Sequence, residues 1–234
     1  MSTITPAILA HSHWEFKDLI SKLAPTVTKF HIDVCDGAFT KKPSWPYIKL
    51  DDRFEAMVTA GEGLPHWQEV DYDVHIMCED PLKFTEQWMQ VGAQRAFVHI
   101  EAFKDGADSD EAQAVFDLRN DFFDVGLAIK MDTDIADLAP FMEKFGPKAI
   151  LCMSIVNIGA YGQPFEESVL ERLQTIRERY SDVHLLADGG IKEEHIAVLA
   201  EIPTDEIIVG SAIIADPHPL GAFYNFKGLG ESAG

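Results

Sequence analysis

The sequence predicts one closed (β/α)8 barrel, a TIM barrel that makes a single α/β domain of residues 1–234. Three observations predict it. Eight short β-branched or apolar runs alternate with amphipathic stretches along the whole chain, the pattern of a parallel sheet with helical crossovers. The length of 234 residues suits eight such units closing on themselves, with an open doubly wound sheet as the competing arrangement. Polar residues recur at the carboxyl ends of the runs, where such barrels carry their chemistry.

The first run, 3–9, leads into Ser12-His13-Trp14-Glu15, a capping box that opens a helix over 14–23. The second, 29–34, is followed by a long punctuated segment, 38–52, with Lys41, Lys42, Pro43 and Pro46. A loop of that length after a barrel strand is a candidate lid. A helix over 53–59 precedes the third run, 73–77, and Asp80-Pro81 then starts a helix over 81–91. Runs at 96–100 and 125–129 bracket a helix over 110–120, and a helix over 135–145 leads to the run 149–153. Pro164 before Phe165 marks a helix start ahead of 166–180. Runs at 183–187 and 206–209 flank a helix over 193–199. The tail after Ser211 is rich in Pro and Gly, which predicts a stunted eighth helix and frayed last residues. Trp14, Trp88 and the phenylalanines at helical spacing are expected in the core.

Composition narrows the function classes. Residues of apolar type make up 47% of the chain, enough for one large core, and no run of about 18 apolar residues suggests a membrane span. The start of the chain lacks the pattern of a signal peptide. Cys35, Cys78 and Cys152 are odd in number and far apart, which fits free thiols in a reducing cytoplasm. The net charge is −20, from 39 acidic and 19 basic residues. Such a chain repels phosphate backbones and anionic membranes, so nucleic acid and membrane are not expected partners. A phosphorylated substrate would have to be held by local dipoles and a metal.

The second run ends Phe30-His31-Ile32-Asp33-Val34-Cys35-Asp36-Gly37. Period two puts His31, Asp33 and Cys35 on one face. The third repeats the arrangement with Asp73, His75 and Met77, and the seventh ends Asp188-Gly189-Gly190. Two histidines and two aspartates (His31, Asp33, His75 and Asp188) form a mixed N/O set suited to one divalent ion: Zn²⁺, Fe²⁺, Mn²⁺ or Co²⁺. Cys35 reads as a small gap-filler rather than a nucleophile, and His99 and Glu101 as supporting or core residues. Glycine-rich turns follow three late runs: Gly159-Ala160-Tyr161-Gly162, Gly189-Gly190 and Gly210-Ser211. Glycine lets backbone N–H groups approach an anion, so three converging turns predict a phosphate cradle.

At these residues the chain resembles the ribulose-phosphate 3-epimerase family. The likeness runs from Pro6-Ala7-Ile8-Leu9-Ala10 to Gly210-Ser211-Ala212-Ile213, through HIDVCDG (31–37), DVHIM (73–77), VHIEA (98–102), GLAI (126–129), MSIVNIGAYGQPF (153–165) and ADGGI (187–191). The resemblance implies that His31, Asp33, His75 and Asp188 bind the metal and that Asp33 and Asp188 are also the acid/base catalysts. It further implies that Met77 and Met153 line the site, that His75 also lies beside substrate, and that the three glycine turns hold the substrate phosphate. The implied reaction inverts C3 of a ketopentose 5-phosphate through an enediolate, interconverting ribulose and xylulose 5-phosphates in a homo-oligomeric enzyme. Several positions depart from the family pattern. Ala7 stands where the family usually has Ser, Cys35 where it has Met, and Tyr161 where the phosphate loop has Gly; residues 38–42 lack the usual His and Val-Pro-Asn. These departures leave two alternatives: the same mechanism on another ketose phosphate such as a hexulose 6-phosphate, or a catalytically silent barrel that binds a phosphorylated ligand.

Overall fold

The computed structural model describes residues 2–48 and 52–232. Eight parallel strands close into a barrel in sequence order, the last pairing back to the first. They are β1 (Thr3–Ile8), β2 (Lys29–Cys35), β3 (Asp71–Met77), β4 (Arg95–His99), β5 (Asp124–Ile129), β6 (Ala149–Met153), β7 (His184–Asp188) and β8 (Glu206–Val209). Around them lie α1 (His13–Leu23), α2 (Asp52–Ala60), α3 (Pro81–Gln90), α4 (Asp110–Asp117) and α5 (Leu138–Phe145). The outer layer is completed by α6 (Val169–Arg179), α7 (Glu193–Glu201), α8 (Ser211–Ile214) and α9 (Pro219–Ser232). Each expected run is a strand, with bounds within two residues of those read from the sequence. Among the described residues no helix is long and apolar enough to cross a membrane. Cys35, Cys78 and Cys152 are buried free thiols.

Local chemistry explains where the helices begin. Ser12 accepts from the Glu15 N–H at 3.1 Å, as a cap should. The return bond reaches one residue further than the usual box, with the Glu15 carboxylate accepting from the His11 N–H at 2.7 Å. Helix α1 buries Phe16, Ile20 and Leu23, spaced as one helical stripe, and this excludes Trp14, which is 75% exposed rather than in the core. Trp88 is fully buried as expected. Asp80 accepts from the Lys83 N–H at the start of α3, with Pro81 in the first turn.

Three expectations change. Pro164 does not start a helix: α6 begins at Val169, because Phe165 is held on the His195 ring at 4.2 Å and the Glu166 N–H donates to the Ser154 carbonyl. The eighth helix is stunted, as expected, but it does not end the tail. The four-residue α8 is followed by α9, whose Ala222, Phe223 and Phe226 form a buried face against the barrel. The last residues, 233–234, lie outside the described residues. The candidate lid is anchored at Trp45, which donates its N–H to the Ala10 carbonyl at 2.8 Å and stacks on Phe16 at 4.7 Å. Its residues 49–51 lie outside the described residues.

The barrel interior is stratified. An apolar middle contains Ala7, Phe97, Leu151, Leu186 and Ile208. The Phe97 ring fits because residue 126 is glycine; a Cβ there would sit 2.8 Å from the ring. At the amino-terminal end of the strands, Lys29 Nζ lies 2.7 Å from Asp73 Oδ2 and 2.8 Å from Glu206 Oε2. His184 Nε2 is 2.9 Å from the same Glu206 oxygen, and the Thr5 hydroxyl donates to the other. This base is a closed network of opposite charges and hydrogen bonds.

Burial pushes the Glu206 carboxyl up, but the His184 hydrogen bond, the Lys29 charge and the Thr5 hydroxyl outweigh it and hold its pKa at about 2. A folded value below the ordinary one contributes stability above about pH 4.5, and that contribution is lost as pH falls toward 2. Glu206→Gln should therefore lower the melting temperature at pH 7 and flatten the loss of stability between about pH 4.5 and 2. Melts across that range check this; an acid limb identical to the parent would remove Glu206 from the account.

Candidate active site

The pleat of β2 turns His31 and Asp33 inward, and its register with β3 sets Asp33 directly beside His75. Strand β7 delivers Asp188 from three strands away around the ring. The four expected side chains meet: one ligand atom from each lies within 4.8 Å of all the others. His75 Nδ1 is 3.0 Å from Asp33 Oδ1 and 3.7 Å from Asp188 Oδ2, and His31 Nε2 is 3.8 Å from Asp33 Oδ1.

The electrostatics of this group are not balanced by the protein itself. Burial, then the neighbouring Asp33 charge, pushes the Asp188 carboxyl well above the usual carboxylate range. Burial lowers the His31 pKa to about 3, so its ring is neutral at pH 7, the form that ligates cations. Neither His31 nitrogen has a hydrogen-bond partner among the described residues. A buried polar atom left so costs about 1–3 kcal/mol.

A chain of contacts behind His75 fixes its tautomer. The Glu101 carboxylate can only accept, so it takes the proton of His99 Nδ1 at 2.9 Å. Burial holds His99 neutral, with its pKa lowered to about 4 against the upward pull of Glu101, so Nε2 of that ring carries a lone pair. The 2.8 Å contact between the two Nε2 atoms is then a hydrogen bond donated by His75. A neutral His75 therefore presents a bare lone pair at Nδ1, facing another acceptor, Asp33 Oδ1. That contact is repulsive unless a cation or a proton lies between them. Glu101 is itself fixed by the Lys130 N–H at 2.8 Å and the Thr133 hydroxyl. Burial would raise its pKa, but the His99 hydrogen bond and charge dominate and bring it to about 2. The donor set and its orphaned nitrogens fit one divalent cation.

Above this group lies a cleft lined by Asp33, Asp188, Met77, Met153 and all three expected turns, Gly159–Gly162, Gly189–Gly190 and Gly210–Ser211. Gly190 needs its residue type. Its φ is +65°, and a Cβ would lie 2.7 Å from the Phe165 nitrogen. His31 and His75 are fully buried beneath the mouth. Cys35 packs with Leu9 and Met77, and burial pushes its thiol up to about 12, which suits a gap-filler.

Sequence reasoning missed Ser154. Its hydroxyl donates to the Gly189 carbonyl at 2.6 Å and its N–H to the Asp188 carbonyl at 2.7 Å, so it sets the turn that carries Asp188. It also missed the direct contact of His99 with His75. Both contacts cross between strands, and no local spacing signals them.

The match to known proteins covers the same elements. The model of the ribulose-phosphate 3 epimerase family matches residues 3–214. This chain belongs to that family. It is an isomerase of the ribulose-phosphate 3-epimerase type. It is 27% identical to the ribulose-phosphate 3-epimerase of Aquifex aeolicus, covering 91% of this chain and 90% of the relative. Against the enzyme of Candida glabrata the identity is 26%, over 82% of this chain and 78% of the relative. Among solved structures, the barrel is similar to 3-hexulose-6-phosphate synthase from Salmonella typhimurium, with a TM-score of 0.71 and 15% identity over 99% and 100% of the two chains. It is also similar to 3-keto-L-gulonate-6-phosphate decarboxylase from Vibrio cholerae, with a TM-score of 0.71 and 13% identity over 100% and 99%. At such identities these two likenesses establish the fold alone. One side chain of the glycine-rich turns, Tyr161, is bulky and lines the cleft. It bridges the cleft, its hydroxyl accepting from the Leu9 N–H at 2.6 Å.

Proposed function

We propose that this epimerase-family chain inverts C3 of ribulose 5-phosphate to give xylulose 5-phosphate, with one divalent cation held by His31, Asp33, His75 and Asp188. The observation that supports it most is the convergence of four ligand atoms, from His31, Asp33, His75 and Asp188, around the unpartnered nitrogens of the buried His31 ring. A cation bound there supplies Lewis-acid stabilisation of charge on the substrate oxygens, worth several kcal/mol.

The chain's own residues do the rest. Asp33 and Asp188 project from β2 and β7, three strands apart, so they can address opposite faces of a carbon held between them. One removes the C3 proton, leaving an enediolate, and the other returns a proton to the opposite face. The net change is one inverted centre, with no atom gained or lost. Met77 and Met153 give this step apolar walls. Backbone N–H groups of the three glycine turns hold the phosphate, an arrangement that needs no lysine or arginine in a chain of net charge −20.

The purified protein loaded with Mn²⁺ or Zn²⁺ should convert ribulose 5-phosphate to xylulose 5-phosphate. No product at high enzyme concentration would end this reading. Asp33→Asn and Asp188→Asn should each lower kcat by about 10²–10⁴-fold, measured by a coupled assay for the product. Glu101→Ala removes the acceptor that sets the His99 and His75 tautomers. It should weaken divalent-ion binding by about 10–100-fold; calorimetric titration giving the parent affinity would refute the tautomer argument.

A further inference from the structure

Tyr161 lies on the loop between β6 and α6, yet its side chain reaches the end of β1. The ring packs with Leu9, Cys35 and Met77 at the barrel mouth. It also covers Gly210 in one of the three glycine turns: a Cβ on Gly210 would meet the ring at 3.2 Å and the Ala7 methyl at 3.8 Å. The ring edge and that methyl thus share one small apolar space, for which alanine at position 7 is a compatible neighbour. At its far end the hydroxyl accepts from the Leu9 N–H at 2.6 Å, which fixes the ring's reach. Among the described residues no acceptor takes the phenolic proton. Burial, reinforced by the charges of Asp33 and Asp188, pushes this phenol up, so it keeps that proton.

The ring therefore stands along the wall between two fixed points, the carboxylates that would work on the reacting carbon and the turns that would hold the phosphate. A substrate must span that interval past the ring. One more carbon in the interval lengthens the chain by about 1.3–1.5 Å, a misfit that a tightly packed wall does not absorb without shifting.

Resting on the epimerase reading above, we propose that Tyr161 determines substrate specificity. Its ring limits the chain between reacting carbon and phosphate to that of a ketopentose 5-phosphate, and its phenol donates a hydrogen bond to a hydroxyl on that chain. Within its own turn this residue alone can build the wall, since its neighbours Gly159, Ala160 and Gly162 carry at most a methyl group.

The test compares kcat/KM for ribulose 5-phosphate and for allulose 6-phosphate, a ketohexose phosphate one carbon longer, in the metal-loaded parent, Tyr161→Gly and Tyr161→Phe. The parent should prefer the pentulose phosphate. Tyr161→Gly should shift the ratio toward the hexulose phosphate by at least about tenfold. Tyr161→Phe keeps the ring and should preserve the ratio while lowering kcat/KM for the pentulose phosphate by up to about tenfold, the effect of one hydrogen bond. An active parent with an unchanged ratio in Tyr161→Gly, or an unchanged kcat/KM in Tyr161→Phe, overturns the role of Tyr161 while leaving the epimerase reading intact. A parent inert toward both sugars overturns the two together.

Discussion

The mouth of this barrel depends on a run of hydrogen bonds that leads inward from a part-buried carboxylate to a fully buried imidazole. From the Lys130 N–H and Thr133 it passes through Glu101 to His99 and on to His75. Each partner can play only one part once Glu101 is ionised, so the direction of every bond is set from the carboxylate outward. The consequence appears at the far end, where His75, its Nε2 directed at His99, points Nδ1 toward Asp33 and Asp188. An imidazole free to choose its tautomer could instead donate to Asp33 and neutralise the group internally. The relay commits the Nε2 proton to His99, so Nδ1 meets Asp33 favourably only with a cation or a second proton between them.

The same barrel treats charge in opposite ways at its two ends. At the base, Lys29 lies between Asp73 and Glu206 and His184 completes the set. Those groups stabilise one another. At the mouth, two carboxylates and two imidazoles face one point with no basic side chain among them. Between the two layers the apolar middle, with Phe97 set into the space left by Gly126, keeps the base cations from reaching the mouth. His31 lies against that same Phe97 ring at 5.8 Å, so the packing of the middle also positions a donor above it.

The anion side of the cleft follows from backbone rather than from charge. A chain with twice as many acidic as basic residues cannot rely on its overall field to attract a phosphate. Turns without bulky side chains present N–H groups instead, and Gly190 could not hold its place with any Cβ. Tyr161 breaks that pattern, which is why its ring has such influence on the shape of the cleft. Gly210 and Leu9 each meet it at a strand end, so one loop is packed against two strands of the barrel.

Much was legible in the sequence because strand periodicity is local. The alternation in Phe30-His31-Ile32-Asp33 and in Asp73-Val74-His75 by itself determined which side chains face inward, and the order of runs determined a parallel barrel. Repeated polar residues at strand ends therefore identified all four members of the mouth cluster. What failed locally was decided by distant partners. Trp14 follows a good cap, yet the Phe16–Ile20–Leu23 stripe turns it outward. Pro164 looks like a helix start, yet His195 holds the next residue in a loop. A tail rich in glycine still forms α9 because its Phe223 and Phe226 find an apolar surface. Tertiary structure alone decided the proton positions behind His75, the support of the Asp188 turn by Ser154 and the reach of Tyr161 to Leu9. Each is a contact between segments far apart in the chain, and hydrogen bonds and packing of that kind depend on distances that exist only once the barrel has closed.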